Sequence, residues 1–248
     1  GTVNPHLRTP WTPPVHPGPP TFGPRDKLVV DLGDPWSHVV AICHAWRDRD
    51  DPALLIAETD LADFGLPEFD VDTLGRALLP ACLDANDTVT CDDPIAIAHT
   101  LAPELFDGVH SEDIARARGF LDDFYLLGGL GDQGTYEEAH RKLAQCASSL
   151  HSALREQRFI GGRAPNIADL ILFATTVRMD PVFYELYKAS FGLLADFPAL
   201  QDHARDLYEL PAVFMHTDVE RMKAAHYTYE PILNPKGILP AAGAPDLD

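Results

Sequence analysis

The sequence gathers chemistry-bearing side chains into one short turn, Asp34-Pro35-Trp36-Ser37-His38. A short apolar stretch, Leu28–Leu32, leads into it and an amphipathic run through Ile42 to Trp46 leads away, so the turn reads as a strand-to-helix junction. Asp34 is a favoured N-cap and Pro35 a favoured first helical residue. His38, four residues on, falls on the same helical face as Asp34. A carboxylate at a helix N-terminus is stabilised by unpaired amides, which suits a base or an anchor for a cation better than an acid. Asp34, His38 and Ser37 are therefore the candidate catalytic residues. Two roles stay open for Asp34, a proton carrier or a cap alone. Ser37 brings a hydroxyl with no base evident beside it.

Bulk properties narrow the function classes. The chain has 248 residues, 46% hydrophobic and 23% charged, enough for one large or two small domains. Its net charge of −19, from 38 acidic against 19 basic residues, repels phosphate backbones, so nucleic acid and anionic membrane are poor partners. No apolar run approaches the roughly 18 residues of a membrane span. The proline-rich start shows no export pattern, and a cytoplasmic protein is expected. Cys43, Cys82, Cys91 and Cys146 are scattered without a C-x-x-C, and the eleven histidines lack ligand spacing, so no metal site is expected.

The elements that must position the turn follow in order. Residues 1–27 form a proline-rich arm. Ala53–Ala57 and Thr88–Cys91 are further strand candidates, separated by an acidic irregular insert, Asp60–Asp72, and by the run from Gly75 to Asp84. Asp92-Asp93 opens a helix over Pro94–Leu101. The order strand-helix-strand, then strand-strand-helix, is a thioredoxin-like unit over residues 28–102. Residues 103–110 are a linker. Residues 111–229 hold only helices: Ser111–Leu127, Thr135–Gln157, Asn166–Tyr187, Pro198–Tyr208 and Asp218–Tyr227. Asn166 caps the third, with Asp169 completing a capping box, and its body is apolar all round, which predicts burial. A tail, 230–248, ends the chain.

Several stretches resemble one family. The capped, all-apolar helix resembles the central helix of the glutathione transferase C-terminal domain. The continuation Arg178, Asp180, Pro181, Val182, Lys188 is similar to the xi class, the glutathionyl-hydroquinone reductases. Gly75-Arg76…Leu79-Pro80 matches that class's G-R-x-x-V-P-x-L. His226-Tyr227 matches its H-Y-Y, and Asn234-Pro235-Lys236-Gly237-Ile238-Leu239-Pro240 its I-N-P-x-G-I-V-P. The resemblance implies an α+β two-domain glutathione transferase fold, an N-terminal thioredoxin-like domain plus a C-terminal all-α bundle. It also implies a homodimer, a cis-proline at Pro80 with Leu79 facing glutathione, and Trp11 as the counterpart of a tryptophan near that site. Trp36, Tyr125, Tyr136, Tyr184 and Tyr227 then form an aromatic wall suited to a phenolic or quinonoid ligand.

Two departures set the expected function. Where the class has C-P-W-A-H, this chain has Asp34, and a carboxylate cannot take part in thiol–disulfide exchange. Where the class grips the γ-glutamyl carboxylate with an E-S pair, this chain has Asp93 and Pro94. Proline offers neither hydroxyl nor N–H, a loss of about 3–6 kcal/mol, or roughly a hundredfold or more in affinity. Asp92 and Asp34 are expected to add negative charge facing a negative tripeptide, so glutathione is a doubtful cofactor. The leading expectation is a proton-transfer enzyme acting on an aromatic small molecule. The alternatives are a non-catalytic ligand-binding protein and a residual transferase using Ser37 or a tyrosine.

Overall fold

The computed structural model describes residues 12–46, 53–57, 68–69, 71–129, 131–241 and 243–247. The chain divides into two compact units, one ending at Glu104 and the other starting at Leu105.

The first unit holds a five-stranded sheet in the order β3-β2-β1-β4-β5. These strands are β1 (Lys27–Val30), β2 (Ala53–Ala57), β3 (Glu68–Phe69), β4 (Ala81–Leu83) and β5 (Val89–Cys91). β1 runs parallel to β2 and antiparallel to β4, and β4 and β5 form an antiparallel hairpin. Helix α1 (Pro35–Trp46) joins β1 to β2, and α2 (Pro94–Leu101) follows β5. The sequence reading is corrected at one point: the acidic insert taken as irregular contains β3, parallel to β2. Val29, Ala81 and Leu83 pack on one face of the sheet with Leu74, Ala77 and Leu79. On the opposite face Leu28 pairs with Cys82. The Leu79–Pro80 peptide is cis.

The second unit is helical: α3 (Ser111–Gly128), α4 (Gln133–Glu156), α5 (Ile167–Thr176), α6 (Pro198–Tyr208), α7 (Pro211–His216) and α8 (Val219–Tyr229). All ten residues of α5 are buried, as its unbroken apolar surface requires. Its capping box is present, with Asn166 Oδ1 accepting from the Ala168 and Asp169 amides and Asp169 Oδ2 accepting from the Asn166 amide at 3.0 Å. The other carboxylate oxygen of Asp169 accepts from the Ile160 amide at 2.7 Å and meets His203 Nε2 at 2.9 Å.

The helix expected over Asn166–Tyr187 is shorter. It stops at Thr176, and a π-helical turn, Met179–Tyr184, takes over. Pro181 has no amide to continue an α-helical ladder. The next two amides, of Val182 and Phe183, both donate to the Arg178 carbonyl. Arg178 is fully buried, its guanidinium donating to the Ala174 carbonyl at 2.7 Å.

Asp169 is the acceptor for two buried amides at once, and truncation leaves both unsatisfied. Asp169→Ala is expected to lower unfolding free energy by on the order of 3 kcal/mol, read from urea denaturation.

Candidate functional site

At the end of β1 the chain turns through Asp31, whose carboxylate accepts from the Gly33 amide at 2.9 Å while its carbonyl accepts from the Asp34 amide. Asp34 then caps α1: its Oδ2 accepts from the Ser37 amide at 2.6 Å, and its carbonyl accepts from the His38 amide at 3.0 Å. Asp34 is only 1% exposed, and Trp36, Ser37 and His38 are buried with it. The Ser37 hydroxyl finds no hydrogen-bond partner among the described residues.

The start of α2 has the same design. Asp93 is the N-cap, and its Oδ1 accepts from the Ile95 amide at 3.0 Å and the Ala96 amide at 3.2 Å. Pro94 occupies the first helical position and has no N–H.

Asp92 does not add open charge beside these residues, contrary to the expectation from the sequence. Its buried carboxylate accepts from the amides of Val15 (3.1 Å), His16 (2.6 Å) and Leu78 (2.9 Å). Its own amide donates to the His16 carbonyl. One side chain therefore ties the proline-rich arm to the loop that leads to Pro80. Next to it, the Cys91 thiol donates to the Gly18 carbonyl at 2.9 Å. Trp11 lies outside the described residues.

In the helical unit the predicted aromatic residues do not share one environment. Tyr125 is buried, edge-on to Phe183 and Tyr187, with its oxygen 2.8 Å from His226 Nε2. His226 Nδ1 lies 2.8 Å from the Met222 carbonyl, so Nδ1 carries the proton and Tyr125 donates to Nε2. Burial, reinforced by the Arg178 charge, pulls the His226 pKa down to about 3. Tyr227 is buried against Glu185; burial first, then that carboxylate, pushes its pKa up to about 12. Tyr184 is half-buried on the π-helical turn. Tyr136 donates its hydroxyl to the Lys188 carbonyl at 2.6 Å.

Tyr136 also lines a cleft of about 260 Å³ formed by the end of α3, the start of α4 and residues 186–188. The second tyrosine of this cleft is Tyr187, which sequence reasoning did not select, because nothing in the local pattern separates it from a packing residue. Its hydroxyl donates to Glu230 at 2.7 Å, and burial first, then Tyr125 and Glu230, push its pKa up. Gly128 makes room for this ring: a Cβ there would lie 2.1 Å from Tyr187 Cδ1.

Comparison with known proteins gives this arrangement its context. Residues 133–206 match the glutathione S-transferase C-terminal domain. The crystal structure of the xi glutathione transferase of Phanerochaete chrysosporium superposes with a TM-score of 0.77 at 21% identity, covering 90% of this chain and 87% of that one. The chain has the glutathione S-transferase fold. Half of the chain is 27% identical to the glutathionyl-hydroquinone reductase YqjG of Escherichia coli, over 38% of that protein's length. A second relative, the glutathionyl-hydroquinone reductase PcpF of Sphingobium chlorophenolicum, is 30% identical over 50% of this chain and 39% of its own. The chain thus matches about two-fifths of the length of these curated relatives. No helix among the described residues is long and apolar enough to cross a membrane.

Two outcomes follow from this geometry. His226 is held neutral to about pH 3, while an unfolded chain takes up its proton near 6.5. Its contribution to stability is therefore complete above pH 6.5 and is lost as pH falls through that window towards 3. Thermal melts of His226→Gln between pH 7 and 5 are expected to show a shallower acid decline than the parent. Asp92→Ala strands three backbone amides, so it is expected to cost on the order of 2–4 kcal/mol and to open residues 12–20 to limited proteolysis.

Proposed function

We propose that this protein is a glutathione transferase-like binder of a single-ring aromatic small molecule that operates without glutathione. One observation carries the reading. Both helix starts that would have to face the tripeptide are closed by the chain's own carboxylates, Asp34 on the Ser37 amide and Asp93 on the Ile95 and Ala96 amides. A ligand carboxylate would have to displace Asp93 and would find Pro94 without a donor. The thiol mechanism fails at the same place, since Asp34 has no sulfur to exchange.

The cleft beside Tyr136 and Tyr187 supports an aromatic ligand. Its volume of about 260 Å³ sits just under the usual range of roughly 300–1,000 Å³ for small-molecule sites, which limits the occupant to about one ring. Leu127, Leu186 and Leu233 supply apolar contact, and Asp132, Gln133 and Lys188 supply polar groups at the margin. Both tyrosine hydroxyls are already donating inside the protein, and of the two rings the partly exposed Tyr136 is the one that offers a face, with Tyr187 buried behind the cleft wall.

A second reading, proton transfer by Asp34 with Ser37 and His38, is favoured by one feature. The buried Ser37 hydroxyl has no partner among the described residues, and a buried polar group of that kind is completed by a water or by a bound molecule. The default assembly by resemblance is a homodimer.

Isothermal titration with glutathione into the millimolar range is expected to show no saturable heat, while simple phenols and quinols produce saturable binding that Tyr136→Ala weakens about tenfold. Glutathione binding with ordinary transferase affinity would overturn the reading. Asp34→Asn keeps the cap acceptor but removes the proton carrier. Unchanged binding with no turnover in either form supports the binder, and turnover that Asp34→Asn abolishes selects the enzyme.

A further inference from the structure

We propose that Cys82 and Cys91 form a redox modification site, a dithiol that closes to a disulfide on reaction with a low-molecular-weight disulfide and loosens the proline-rich arm as it does so. The two cysteines are direct partners across the antiparallel pair β4–β5. Directly opposed residues in such a pair have Cα atoms about 4.5–5.5 Å apart. That separation lies inside the disulfide window of roughly 4.4–6.8 Å. Opposed residues also project to the same face of the sheet. A register irregularity sits at Cys82 and Leu83, giving the hairpin local twist with which to adjust the approach. All four cysteines are thiols in this structure, and burial raises the Cys82 pKa, with the proximity of Cys91 as the next cause.

Cys91 is shielded by the arm, and the arm is held by bonds that include Cys91 itself. Its thiol donates to the Gly18 carbonyl, while Asp92, the next residue, holds the Val15 and His16 amides. Lifting residues 15–18 uncovers the thiol. Conversely, a disulfide has no S–H, so oxidation removes the bond to Gly18. Access and oxidation are therefore coupled through one short segment.

The chemistry balances with a disulfide R–S–S–R as oxidant. The Cys91 thiolate attacks one sulfur, a Cys91–S–S–R bond forms, the R–S–S–R bond breaks and RS⁻ leaves. The Cys82 thiol, deprotonating as it reacts, attacks the Cys91 sulfur and expels the second RS⁻. Both thiolates take up the protons released by the two cysteines, so two protein thiols are oxidised and one R–S–S–R is reduced to two RSH. Added thiol reverses the sequence. None of this depends on the small-molecule reading, because it uses neither the Tyr136 cleft nor Asp34.

The test exposes the native protein to glutathione disulfide, quenches with acid, alkylates under denaturing conditions and maps the peptides by mass spectrometry. The expected product links the Cys82 and Cys91 peptides and leaves Cys43 alkylated. In Cys82→Ser a glutathione adduct accumulates on Cys91, the trapped intermediate. Full alkylation of Cys82 and Cys91, or oxidation confined to the half-exposed Cys146, overturns the site. Hydrogen exchange separates the second half of the proposal: the Val15 and His16 amides are expected to exchange about tenfold faster in the linked form. Unchanged exchange in a fully linked sample overturns the coupling to the arm.

Discussion

A backbone N–H that folding removes from water must find an acceptor, and in this chain the acceptor is repeatedly an aspartate. Asp34 serves the start of α1, Asp93 the start of α2, Asp92 the arm and the loop before Pro80, and Asp169 the start of α5. These side chains are almost wholly buried or committed to helix ends, so part of the large acidic surplus is internal structure and not surface charge. The net charge of −19 is therefore not surface charge alone. Carboxylates bonded to two or three amides are strong local fasteners, because each bond is charge-assisted and each missing one would strand a donor.

The same principle separates the two units in character. The first is a thin sheet whose loops and arm are pinned by point contacts at Asp31, Asp92 and Asp93. The helical unit is fastened mainly by packing, with α5 buried on every side and Phe120, Phe124 and Phe183 in ring contact beside it. Within that packing, the chain Tyr125–His226–Met222 uses up its donors and acceptors internally. A residue selected as ligand-facing on the strength of its position thus becomes part of the core. Tyr136, at the cleft, stays partly exposed, while Tyr187 is packed into the same aromatic cluster and its hydroxyl is tied down.

Much of this was legible in the sequence where the interaction is local. The Asn166–Asp169 capping box, the cap at Asp34 and the helix opened by Asp93 span three or four residues, and each appears as read. The tail pattern was legible too: Asn234 bonds the Tyr227 and Ile238 carbonyls and Gly237 takes a positive φ of 61°, a turn built by its own residues. What escaped is non-local. Asp92 reaches 77 residues back to Val15, and no pattern near either residue announces it. The end of α5 was missed for a different reason: the apolar period continues through Pro181, so burial was predicted correctly while the ladder had already changed partners at Arg178. The small strand β3 pairs through its backbone, which composition does not record.

The deepest consequence lies in a repeated dipeptide. Both helices of the sheet unit begin Asp-Pro, at Asp34-Pro35 and Asp93-Pro94. Proline at the first position deletes one amide that would otherwise need a partner, and the preceding carboxylate takes one or two of those that remain. At α2 this leaves the Ile95 and Ala96 amides satisfied by Asp93, and at α1 the Ser37 amide by Asp34. A helix start without such a cap keeps unpaired amides that attract an anion, and at both starts here a carboxylate of the chain itself takes up part of that role. The same Asp-Pro solution thus recurs at both helix starts of the unit, with a carboxylate of the chain itself on the first-turn amides. Each cap bonds amides that would otherwise be stranded, so the two carboxylates contribute to the stability of the unit itself.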